Sequence, residues 1–78
     1  MPLYYFHVYN DEVTIDDEGA DLADEAAARG RAIKEARALA AHSVLQGHLT
    51  RSHRLEIADE KRTVLAVLRF DQAVEIRD

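Results

Sequence analysis

The stretch DEAAARGRAIKEARALAAHSVLQG, residues 24–47, constrains this chain more than any other. Alanine dominates it and nearly every other residue is a good helix former, so the backbone there has one favourable state. Asp24 is placed to accept from the first free amides, and Glu25 sets negative charge at the positive end of the helix dipole. Gly47 is the expected residue just past the last turn. The helix therefore runs from residue 25 to about 46. At 100° per residue Ala26, Ile33, Ala36, Ala40 and Val44 share a stripe flanked by Ala32 and Leu39, while Arg31, Lys34, Glu35 and His42 face away. Such small side chains let a helix axis lie close to a sheet, and Gly30, which costs about 1 kcal/mol in a helix interior, fits the same close approach.

What flanks the helix reads as strand. Residues 2–9 are aromatic or β-branched with few exceptions, and alternation puts Tyr4, Phe6 and Val8 on one face with Leu3, Tyr5, His7 and Tyr9 on the other. Asn10 and Asp11 make a turn, and residues 13–15 pair back. The acidic DDEGAD follows, in which Gly19 supplies a positive φ. After the helix, residues 54–58 alternate with Leu55 and Ile57 inward, DEK turns the chain, and residues 63–70 return. That last run, VLAVL at its centre, is nearly continuous in apolar residues and predicts a strand covered on both faces. The tail DQAVEI predicts a helical turn capped by Asp71, with Val74 and Ile76 packed back. The chain is thus one domain, residues 1–78, of α+β class: a two-layer ββαββ fold with an antiparallel-rich four-stranded sheet and one long amphipathic helix on one face.

Size and charge narrow the function. A domain of 78 residues buries a modest core and commonly needs a disulfide, a metal or a second chain. There is no cysteine, which removes disulfides and thiolate metal sites and is compatible with a reducing, cytoplasmic setting. A second copy is the remaining supplement. One helix covers one sheet face only, so Leu3, Tyr5, His7 and Tyr9 form the candidate interface of a homodimer. With 15 acidic against 10 basic residues and a formal charge of -5, nucleic acid is a disfavoured partner. No apolar run reaches the roughly 20 residues that span a bilayer.

Candidate chemistry is sparse. His7 lies among aromatics on a strand, and a general base there needs an orienting acid and a substrate group within reach, such as Tyr5 and Glu56 converging with it in a pocket. His42, His48 and His53 lack the spacing of helical metal ligands, and they read as solvated histidines. Asp16, Asp17 and Glu18 are consecutive, unlike the alternating ligands of a calcium loop, and read as a solvated acidic turn. Arg29 and Arg37 border the apolar stripe while Arg31 and Lys34 do not, so the basic patch is split, with Glu25 and Glu35 as acidic neighbours. No phosphate loop, nucleophile elbow or cofactor motif is present, and the expectation is no cofactor, no metal and no catalysis.

The opening MPLYYFHVYND, the DDEGADLADEAAARGRA that follows and the closing VLAVLRFDQAVEI resemble a family of short uncharacterised proteobacterial proteins, a domain of unknown function. Its members open M-P-x-[YF]-[YF]-F-H, continue through a D-x-x-G turn into an alanine-rich helix, and end near F-x-x-A-V-E-I. Ala23 stands where a proline often precedes the capping aspartate, which weakens the start signal without moving it. The resemblance implies no catalytic residue; it implies that Tyr5, Phe6, His7, Gly19 and residues 70–76 belong to a recurring pattern. The expectation is a non-catalytic binding module, a homodimeric bacterial accessory or regulatory protein, with a nucleic-acid-associated or antitoxin-like module as the alternative.

Overall fold

The computed structural model describes residues 2–78. It is an α+β fold: an open antiparallel sheet with one long helix on one face. The strands are β1 (Leu3–Tyr9), β2 (Val13–Thr14), β3 (Ala20–Asp21), β4 (Arg54–Ala58) and β5 (Val64–Arg69), with helix α1 (Glu25–Leu45) between β3 and β4. The spatial order is β2-β1-β4-β5, and β3 also pairs with β1. Every ladder is antiparallel, with Phe6 opposite Ile57, His7 opposite Glu56, and Leu55 opposite Leu68.

Both ends of α1 follow from local chemistry. Asp24 Oδ1 accepts from the Ala27 amide at 2.8 Å, filling one of the donors a helix start leaves open. At the other end Gly47 adopts φ +96°, the Gly47 amide donates to Val44 and the His48 amide to Ser43. That pair of bonds is the Schellman arrangement, and it needs a residue that accepts the left-handed region.

The face α1 buries differs from the expected stripe. Ala28, Ala32, Ala36 and Ala40 are the buried positions, joined by Ser43, whereas Ala26 and Val44 are exposed. An i, i+4 ladder of alanines sits over the sheet because it permits the closest approach, and the larger Ile33 and Leu39 are displaced to its flanks, where they are half-buried. Bulk comes from the sheet side instead, through Tyr4, Phe6, Leu55, Ile57 and Phe70.

The second hairpin carries two corrections. β5 is an edge strand, with Val64 and Val67 about half exposed, so it is not covered on both faces. A register shift after Ile57 leaves Leu65 without an opposite residue. This bulge lets the consecutive Leu65 and Ala66 both pack against the core, and it accounts for an apolar run without alternation. The tail also departs from expectation: a 3-10 turn (Phe70–Gln72) follows β5, Ala73 is buried, and Val74 and Ile76 are exposed. Arg37 ties this end to the helix, its Nε donating to the Ala73 carbonyl at 2.7 Å.

Candidate functional site

Pairing fixes what the uncovered face displays. Phe6, Leu55 and Ile57 point to α1, so Tyr5, His7 and Tyr9 of β1 lie on the opposite side, in rows with Ala58, Glu56 and Arg54 of β4. Leu3, Tyr5, His7 and Tyr9 are each half-buried. Beyond them, Val67 lies opposite Glu56 and Arg69 opposite Arg54.

This surface is mixed in character. The Arg54 guanidinium lies 4.4 Å from the centre of the Tyr9 ring and its Nε is 3.3 Å from Glu56 Oε2, a cation held between a π face and a carboxylate. Tyr5 and His7 stack with centroids 6.5 Å apart and planes 17° from parallel. Beside them a cleft of about 160 Å³ is lined by Tyr5, His7, Asp16, Asp17, Glu60 and Arg62, with Ala58 and Ile15 as its apolar part. Tyr5 and His7 thus share a cleft with carboxylates, although Glu56 is not among its walls.

His7 is engaged by a motif that sequence reasoning missed. Residues 15–19 run beside only residues 5–7 of β1, between the short pairings of β2 and β3. The extra length bows outward and leaves the Phe6 amide without a strand partner. Asp16 fills the gap: its Oδ2 accepts from the Phe6 amide at 3.1 Å, and its Oδ1 accepts from the amides of Glu18 and Gly19 at 3.1 and 3.0 Å. Its own amide donates to His7 Nδ1 at 3.0 Å, a contact that uses the lone pair of that nitrogen and leaves Nε2 as the donor of the ring. The DDEG turn is therefore a side-chain plug in the sheet edge, where a solvated acidic turn was expected. Burial alone would raise the Asp16 pKa; the amides of Gly19, Phe6 and Glu18, with the His7 ring, outweigh it and hold the carboxyl below its ordinary value. The signal in the sequence was Gly19. Its φ is +73°, and an added Cβ would lie 3.0 Å from the Tyr5 ring and 3.2 Å from the Tyr4 carbonyl oxygen.

The remaining histidines separate. His42 is exposed on α1 and His48 half-buried, but His53 is 5% exposed, which corrects the expectation of three solvated rings. His53 stands edge-on to both His48 and Phe70, its Nε2 is 3.2 Å from Asp11 Oδ1, and its Nδ1 is buried without a hydrogen-bond partner. Among the described residues no group of three or more acidic or histidine side chains is placed to hold a metal ion. The basic residues are divided, but not along the expected line: Arg29 pairs with Glu25, and Arg31, expected to face away from the apolar stripe, lies over the ring of the core residue Phe6 because the buried ladder is centred on the neighbouring Ala28 and Ala32.

A family profile described as Domain of unknown function (DUF6894) matches residues 3–71, from the first residue of β1 into the 3-10 turn. The chain belongs to this family. The DUF6894 match thus takes in the Asp16 plug, the alanine ladder and every strand. No curated protein and no solved structure matches the chain. Among the described residues no helix is long and apolar enough to cross a membrane.

Proposed function

We propose that the protein is a non-catalytic interaction module, a homodimeric accessory or regulatory protein of the bacterial cytoplasm, whose contact surface is the sheet face bearing Leu3, Tyr5, His7 and Tyr9. The observation that carries this reading is that α1 packs on one sheet face while the other, with these side chains half-buried on it, has no second layer above it among the described residues. A surface of aromatic rings with two arginines, each against a carboxylate, suits a protein partner, since tyrosine and arginine are enriched at protein interfaces and tyrosine adds contact area with little rotamer loss. The use of His7 Nδ1 and of the Asp16 carboxylate in holding the backbone together supports a structural role for both over proton transfer. A chain without cysteine is free to occupy a reducing compartment.

Affinity capture from the native cell, run with the wild-type chain and with Tyr5→Ser/Tyr9→Ser, tests the surface. One protein recovered with the wild type and lost with the folded variant is the expected result. Equal recovery by both would move the contact elsewhere. DNA or RNA retained at low salt and released as salt rises would replace this reading with the nucleic-acid one. That alternative has Arg54 and Arg69 on this face, but each already sits against a carboxylate, Glu56 and Asp71.

A further inference from the structure

The two edges of the sheet are finished in different ways. The outer edge of β1 is occupied in pieces: β3 takes Tyr4, Asp16 takes the Phe6 amide, and β2 takes Val8, so that side of the sheet ends in two strands of two residues each. Among the described residues β5, at the other edge, has no neighbour on its outer side. The Phe70 amide donates to the His53 carbonyl at 3.0 Å, so by antiparallel alternation the amides of Ala66 and Leu68 also point to β4, and those of Val67 and Arg69 point outward. Gln72 Oε1 caps the Arg69 amide at 3.1 Å. Val67 has no such cap: its N–H and C=O are free, and its side chain is 51% exposed. From Val64 to Leu68 there is no lysine, no proline and no charge, so the devices that discourage strand addition, the Leu65 bulge and the capped, charged Arg69, stand at the two ends of this edge and leave Val67 between them.

We infer that β5 pairs with β5 of a second copy of this chain, antiparallel about a two-fold axis at Val67, so that one sheet runs through both protomers. This rests on the homodimeric part of the reading above and moves its seam from the sheet face, where the sequence placed it, to the β5 edge. At the axis the Val67 amide donates to the Val67 carbonyl of the other copy and the reverse, two bonds that no stranger has to supply. On the uncovered face the two Val67 side chains meet. On the helix side Leu68 falls across from Ala66 of the other copy, beside an apolar groove of about 130 Å³ lined by Ala32, Ile33, Ile57, Ala66 and Leu68, with Arg29 at its rim. The charges are compatible. In this register each Arg69 lies opposite Leu65, away from its own symmetry mate, and is held by its own Asp71 at 3.0 Å.

Two features favour a second copy over an unrelated peptide. β5 is already extended and ordered by β4, so pairing it with itself orders nothing new, whereas a disordered peptide would lose chain entropy on docking. The opposite side of the sheet ends in the two-residue strands β2 and β3, too short to template a further strand, so a two-fold seam consumes the one long edge of each chain and assembly closes at the dimer instead of growing into a fibre. The face bearing Tyr5, His7 and Tyr9 is left open for another protein.

Light scattering and amide hydrogen exchange on the wild type, Val67→Lys, Val67→Pro and Tyr5→Ser/Tyr9→Ser test the seam. The wild type is expected to scatter as twice the 8.8 kDa of one chain, with the Val67 amide protected from exchange. Both Val67 variants are expected to fall to the mass of one chain while keeping the wild-type helix signal, and the tyrosine variant to stay dimeric. Val67→Lys keeps the backbone donor and replaces a side chain that points to solvent, so it remains informative where proline disturbs the strand. A freely exchanging Val67 amide, or a Val67→Lys protein that stays dimeric, overturns the seam. Dimers lost in the tyrosine variant but kept in Val67→Lys overturn it too and leave the homodimer standing through the sheet face. A monomeric wild type overturns both.

Discussion

Asp16 carries more of the fold than its position in an acidic turn suggests. Three backbone amides converge on its carboxylate, and one of them belongs to the core residue Phe6, which pairs with Ile57 on one side but whose amide, pointing to the other, has no strand to bond. Asp16→Ala removes the acceptor of two part-buried amides and one exposed amide and is expected to cost about 1–2 kcal/mol, below the full penalty of a buried orphan because water reaches these donors. The pH dependence has a definite sign. The folded pKa lies below the ordinary value of 3.8, so the contribution is fully present above that value and is lost as pH falls through the lower, folded one. Urea unfolding of wild type and Asp16→Ala at several acidic pH values should show the two converging on the acid side. A constant gap between them would mean that the carboxylate charge is not what stabilises the turn. Gly19 was legible in sequence as a positive-φ turn residue. Asp16 was not, because which member of an acidic run finds the sheet edge depends on a strand interruption that no local pattern announces.

At the scale of elements, the helix ends were read from side-chain chemistry and stand as read, since caps are local. Its buried face was not. A wheel weighted by hydrophobicity centres on Ile33 and Val44, whereas contact with a flat sheet selects for closeness and centres on Ala28, Ala32, Ala36 and Ala40. Gly30 lies outside this ladder, exposed, and a Cβ there would meet nothing within 4 Å. Close approach to the sheet therefore does not account for it. Gly30→Ala is expected to stabilise the protein by about 1 kcal/mol, the intrinsic difference between the two residues in a helix; thermal unfolding measures it, and a lower midpoint would show that the position needs glycine for another reason. The same limit applied to β5. A run of apolar residues indicates two buried faces when the strand is regular, but the bulge at Leu65 shifts the phase and yields the same run at an edge.

For the molecule as a whole, the core is thin and closes at one end on Phe70. Its ring is fully buried, meets the His53 ring at 5.9 Å and stands where β5 gives way to the tail. Phe70→Ala is expected to cost about 3–5 kcal/mol. A chain this size has a total stability of roughly 4–12 kcal/mol, so circular dichroism should show a variant near or past its unfolding midpoint in mild denaturant. A loss under about 1 kcal/mol would mean that the core does not depend on this ring. The amino-acid sequence by itself determined the α+β class, the order of the main elements, both helix caps, the Gly19 turn and the side of β1 on which Tyr5, His7 and Tyr9 lie. Each of these follows from the residue itself or from neighbours a few positions away. Only the tertiary structure decided that Asp16 seals one sheet edge and occupies His7, that His53 is buried, and that β5 is left open. Those depend on which backbone groups find partners across the fold, and hydrogen-bond satisfaction of that kind belongs to the assembled sheet.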